Sequence, residues 1–203
     1  VGNKIKPNYY ETTFTDPVPV VVSLDLIKCQ GRIDYNDDDA LLEIYRDTAI
    51  ERIEDLTNRL LRPASVVCHA AFEDLTEFER YPFVELERNP CQSVTLVEFH
   101  NGTDFETIDV DNYLVEQKAG YWRVQLYPYQ FFRNYTFPVD VPYPIRITFD
   151  AGYPDGQITA KLKLAVMQYA VWLWNNRGDC SEEDLPPALW DLIGQCRIVR
   201  VFG

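Results

Sequence analysis

The sequence predicts an α+β fold, mainly a helical bundle with two long helices and a β-meander inserted between them. Three observations predict it. From Asn36 to Arg62, apolar residues recur at steps of three and four, which places them on one face of a helix. Between about residues 64 and 150 the apolar period drops to two, the period of strands. From Thr159 to Arg177 the helical period returns.

Residues 1–22 read as an extended N-terminal arm. Tyr9, Tyr10, Phe14, Pro17 and Pro19 are landmarks without a helical or strict strand period, so the arm is either disordered or ordered against a neighbour. Ser23 then caps a short helix through Leu24, Leu26 and Ile27, and Gly31 closes it. The first long helix follows, with Leu42, Tyr45, Ala49, Ile53, Leu56 and Leu60 as its apolar stripe. Asn36 is its expected N-cap, Asp37, Asp38 and Asp39 complement the dipole, and Pro63 stops it. At 1.5 Å per residue such a helix runs roughly 40 Å.

Strands are expected at Val66–Phe72, Phe83–Leu86, Val94–Phe99, Phe105–Val110, Tyr113–Val115, Tyr121–Leu126 and Ile145–Phe149. Asn101-Gly102 is a hairpin signal between two of them. The stretch 127–142 is dense in aromatics and proline, too apolar for a free loop and too proline-rich for a central strand. The second long helix carries Leu162, Ala165, Val166, Tyr169, Ala170, Leu173 and Trp174, with Gly178 just past its end. A short helix opens at Pro186 and Pro187. The expected organisation is therefore the arm 1–22 and a single domain 23–203. That domain is helical over 23–62 and 158–195, with a β insert over about 64–150 and a tail over 196–203.

A net charge of −13 bears on partners. A surface this acidic repels phosphate, so groove binding to nucleic acid and docking on an anionic membrane are both disfavoured. No apolar run approaches the length of a transmembrane helix, and no signal-peptide core opens the chain. Five cysteines, at 29, 68, 91, 180 and 196, show no CxxC or CxxH spacing and read as buried free thiols in a reducing compartment. The sequons at Asn101 and Asn134 are read as chance matches.

Motifs for catalysis are missing. There is no HExxH, GxSxG, P-loop or GxGxxG, and no metal or cofactor is expected. Cys68 and His69 are adjacent, but neighbours in a strand point to opposite faces and do not make a thiolate–imidazole dyad. The three aspartates at 37–39 lack the spaced ligands and central glycine of a calcium loop, so dipole complementarity explains them. Aromatics at 127–137 suit a core or subunit contact better than a base-stacking platform, given one arginine there, Arg133, and an acidic chain. On the long helix, Glu43, Asp47, Glu51 and Asp55 recur at i+4 and Glu54 joins them. Like charges at that spacing each cost a few tenths of a kcal/mol. This acidic face is either an ordinary solvated surface or one selected to be negative.

Read together, these pieces resemble a family. VSLDLIKCQGRIDYNDDDALLEIYRDTAIERIEDLTNRLL, with its short helix, R-I-D step and Asp-rich cap, resembles the opening of phage head–tail connector (adaptor) proteins. FVELERNPCQSVTLVEF, YPIRITFDAGY, ITAKLKLAVMQYAVWLWNNR and LPPALWDLIGQCRIVRVF resemble that family's later segments in the same order, so the likeness spans about residues 20–203. Thr159 stands where the family often has a proline, and the arm and the 127–142 stretch are longer than expected.

The resemblance implies a non-enzymatic structural protein of the virion neck at the portal vertex, assembled in the host cytoplasm. It implies a ring of about twelve subunits that docks on the portal protein and receives a stopper or tail-completion protein. Genomic DNA passes through such a ring without sequence-specific binding. The alternative reading of the residues is an acidic cytoplasmic protein-interaction domain without catalytic activity. For a connector, the tail Arg197, Ile198, Val199, Arg200, Val201, Phe202 and Gly203 is the expected portal contact. It is strand-like and too apolar to stand in water without reason, although folding back on its own core would also explain it. The acidic face Glu43, Asp47, Glu51, Glu54 and Asp55 would help keep the ring's field negative.

Overall fold

The computed structural model describes residues 9–71, 83–118, 121–127, 141–154, 156–177 and 185–198. It places them in two compact units, one of strands and one of helices. The expectation of a mainly helical bundle is overturned. Among the described residues there are four helices and eight strands in two antiparallel sheets, about 36% helical and 32% strand. Long amphipathic helices announce themselves in a sequence. Short strands do so one at a time, and only their sum shows that they make up a unit in their own right.

In the helical unit, α1 (Leu24–Gly31) starts where the Ser23 hydroxyl accepts from the Leu26 N–H at 3.4 Å, and Arg32 ends it in the left-handed region at φ 54°. Next, α2 (Asp39–Thr57) is capped by Asp38, not by Asn36. Asn36 is used differently: its side chain accepts from Lys28 Nζ at 2.6 Å, and the same ammonium reaches Asp39 at 2.6 Å, tying the end of α1 to the start of α2. The second correction is at the far end. Asn58 turns left-handed at φ 55°, a conformation Asn tolerates, so α2 stops there and does not continue to Arg62. Nineteen residues give about 28 Å of helix.

The remaining helices are α3 (Ala160–Asn175), with Thr159 at its N-cap, and α4 (Pro187–Cys196), with proline at its first position. Leu42, Ala49, Ile50 and Ile53 of α2 share one core with Leu162, Ala165, Val166, Tyr169 and Ala170 of α3, and Ile27, Leu189 and Ile193 join from α1 and α4.

The other unit holds β1 (Tyr9–Phe14), β2 (Ala64–Ala70), β3 (Phe83–Leu86), β4 (Cys91–His100), β5 (Phe105–Thr107), β6 (Tyr113–Lys118), β7 (Tyr121–Leu126) and β8 (Ile145–Ala151). A meander would pair strands in chain order. Instead the larger sheet runs β1-β2-β8-β4-β5 and the smaller β3-β7-β6. The arm supplies β1, which pairs with β2 along its whole length, from Tyr9 opposite His69 to Phe14 opposite Ala64. Alternate residues of β2 and β8 are buried, among them Val66, Cys68, Ile145, Ile147 and Phe149. Tyr10 links the sheets: its hydroxyl donates to the Glu85 carbonyl and accepts from the Glu87 N–H, both at 3.2 Å. The expectations for Gly178, for 128–140 of the aromatic stretch and for tail residues 199–203 fall outside the described residues.

Candidate functional site

α2 presents the acidic face to solvent. Glu43, Asp47, Glu51 and Asp55 are all exposed, on the side away from the buried stripe of Leu42, Ala49, Ile50 and Ile53. Arg46 partly offsets two of these carboxylates: its Nε lies 2.8 Å from Asp47, and a second nitrogen lies 4.0 Å from Glu43. Glu54 leaves this set. It is 7% exposed, and its two carboxylate oxygens accept from the Leu61 N–H at 2.7 Å and from Arg62 at 2.9 Å. A charge this buried must be paired, and Glu54 uses that pairing to fasten the chain after Asn58 onto the helix end.

The tail's root meets the same end of α2. The Ile198 N–H donates to the Thr57 carbonyl at 3.0 Å, and the Asn58 side chain donates to the Ile198 carbonyl at 3.3 Å. Arg59 Nε donates to the Cys196 carbonyl at 2.8 Å, and its Nη1 donates to the Tyr153 hydroxyl at 2.6 Å. Arg197 stays exposed. These bonds fasten Cys196 and Ile198 to the end of α2.

Catalytic geometry is not assembled at the cysteine–histidine pair. Cys68 is fully buried, and burial pushes its thiol up to about 12. His69 turns the other way, with Nε2 3.6 Å from a Glu11 carboxylate oxygen. Among the described residues no group of three or more His, Cys, Asp or Glu side chains gathers as a metal site, and no helix is long and apolar enough to cross a membrane.

Two features escaped sequence reasoning. Ile44 is 61% exposed among the acids of α2. An open groove of about 310 Å³ is lined by Gln30 of α1, Gln168, Val171, Trp172 and Asn175 of α3, and Leu189 of α4. The signal for Ile44 was its place off the apolar stripe. The groove had none, because its lining comes from three separate helices.

Residues 21–113 match the model of the phage gp6-like head-tail connector protein family. Over that stretch, a little under half of its length, the chain is similar to head–tail connector proteins. The match takes in α1, α2 and the root of the tail's binding partners at Thr57–Arg59, and runs on to β6. Solved structures extend the likeness, in fold alone, across nearly the whole chain. A chain in the neck of an empty gene transfer agent particle, computed with C6 symmetry, is 20% identical with a TM-score of 0.67, covering 95% of this chain and 98% of that one. One in the virion of a native gene transfer agent particle gives 19% and 0.69, covering 95% and 97%. Another, in the native particle's neck computed with C12 symmetry, gives 20% and 0.61, covering 95% and 98%. No curated protein matches the sequence.

Proposed function

We propose that this chain is a head–tail connector, the adaptor of a phage-like virion neck. In this reading about twelve copies form a ring that docks on the portal protein, extends the DNA channel and receives the stopper or tail-completion protein. The ring is structural, without a reaction of its own. One coincidence carries the reading: a connector-family match over 21–113 lies in a chain whose fold is shared, over 95% of its length, with proteins of particle necks.

The acidic surface suits a DNA conduit. A basic wall would hold passing DNA through counterion release, whereas a negative one leaves it mobile. Glu43, Asp47 and Glu51 supply exposed negative charge for such a wall, Asp55 stands exposed at its edge, and Glu54 does not contribute, being consumed inside. The tail Arg197–Gly203 is the proposed portal contact. Beyond Ile198, whose N–H and carbonyl are bonded to Thr57 and Asn58, it adds a strand to a sheet edge on the portal, with backbone hydrogen bonds for affinity and alternate side chains for specificity. Arg197 and Arg200 meet acidic groups there. The clamp on Ile198 supports this reading because it sets a fixed point of departure.

Deletion of Val199–Gly203 tests it. The expected product is a folded subunit with an unchanged denaturation midpoint that no longer assembles on the portal. Full occupancy of the portal by the truncated subunit would contradict the tail's role.

A further inference from the structure

The helical unit has two unlike faces on opposite sides. At about 100° per residue, Ile44, Thr48 and Asp55 of α2 form one stripe directly opposite that helix's buried residues. Glu43, Asp47 and Glu51 form the adjoining stripe. On α3, Gln168, Val171, Trp172 and Asn175 lie away from the buried Leu162, Ala165, Val166, Tyr169 and Ala170. These four line the groove with α1 and α4, and no α2 residue takes part. The Ile44 stripe and the groove are therefore outer surfaces of one compact unit, facing away from each other.

Their chemistry is complementary. The stripe offers a protruding aliphatic side chain flanked by carboxylates. The groove offers apolar walls, amide groups at Gln30, Gln168 and Asn175, and no carboxylate in its lining. Near it in the chain stand exposed Arg32, two residues beyond Gln30, and Arg177, two beyond Asn175 and 3.4 Å from Asp38; Asp184 and Asp191 flank the Pro186–Leu189 part of the lining in sequence. Copies that each carry a net charge of −13 repel one another, which favours contacts where one side has no carboxylate in its lining. A cyclic ring needs a heterologous contact between two different patches on opposite sides of the subunit.

We propose that the Ile44 stripe of one copy seats in the α1–α3–α4 groove of the next. The occupant of the groove is thus a second copy of this chain, in the ring described above, and the inference rests on that reading. Ile44 fills the space over Val171, Trp172 and Leu189. Asp55 and Thr48 lie along the amide rim, while Glu43 and Asp47 stay outside the contact and face the lumen.

The test is disulfide trapping in assembled particles, using the full chain with Cys29→Ser and Cys180→Ser. Ile44→Cys is combined with Gln168→Cys, and Thr48→Cys with Gln168→Cys serves as a second pair. Within one copy the two positions lie on opposite faces, beyond the reach of a disulfide. The expected result under oxidation is a ladder of covalent oligomers from at least one double variant, and monomer from each single variant. Particles that contain the variants in ring form but yield no ladder from either pair overturn the interface and leave the ring reading intact. Dimers from Ile44→Cys alone overturn it too, because the contact would then be isologous. Absence of the chain from purified particles overturns the ring reading and the interface together.

Discussion

Glu51 and Glu54 stand three residues apart on one helix, and the fold gives them different tasks. Glu51 is solvated, while Glu54 is buried and holds Leu61 and Arg62. Glu54→Ala removes two charge-assisted bonds at once and should cost about 2 kcal/mol in chemical denaturation. Glu51→Ala should fall within about 0.5 kcal/mol of the parent. The thiols make a second residue-scale prediction. Burial pushes Cys68 up to about 12; burial first, and then the nearby Asp150 charge, do the same for Cys91. In an unfolded chain thiols titrate near about 8.5. The folded state thus keeps protons that the unfolded chain gives up. That contribution is whole below about 8.5 and is lost as pH rises through about 12. Denaturation of the protein followed between pH 8 and 11 should show falling stability, with a shallower slope in Cys68→Ala. Slopes that match between the two proteins would contradict this assignment.

At the scale of elements, α2 carries both a core and a surface, and its acidic face makes a functional prediction. Lysine at Glu43, Asp47 and Glu51 together should slow DNA passage, read as lower packaging and ejection rates in assembled particles, while leaving the subunit folded. Unchanged rates would reduce the face to ordinary solvated helix. The sequence made much of this scale legible. Apolar periods located α2 and α3, and alternation located β3 and β7 to the residue, because a strand's faces are written in its own residues. Helix ends were less legible. Asn36 looked like the cap, but its amide is taken by Lys28, a partner on another element. The stop at Asn58 depends on a backbone angle, and apolar residues continue past it to Leu60 and Leu61, which are buried without being helical. Neighbours in the sheets were not legible at all. Alternation shows that Ile145–Phe149 is strand, but not that β8 lies between β2 and β4; long-range pairing decides that.

At the scale of the molecule, the sheet unit is what the sequence reading undercounted. It draws β1 from the arm and β8 from the far side of the aromatic stretch, so no contiguous window of sequence displays it. The functional reading was legible only as an ordered series of segments, since no single motif carries chemistry. The proposed site is correspondingly a set of surfaces: an acidic face on α2, a tail rooted at Thr57 and Asn58, and the groove proposed to receive Ile44. Each of these has meaning in the proposed ring and little in a free subunit. The most direct measurement is therefore an electron cryo-microscopy reconstruction of the neck in purified particles that contain this protein. The account predicts a closed ring of about twelve copies seated on the portal, with the segment after Ile198 running to it. A neck whose portal binds the tail machinery directly, with no density for this chain between them, would contradict it.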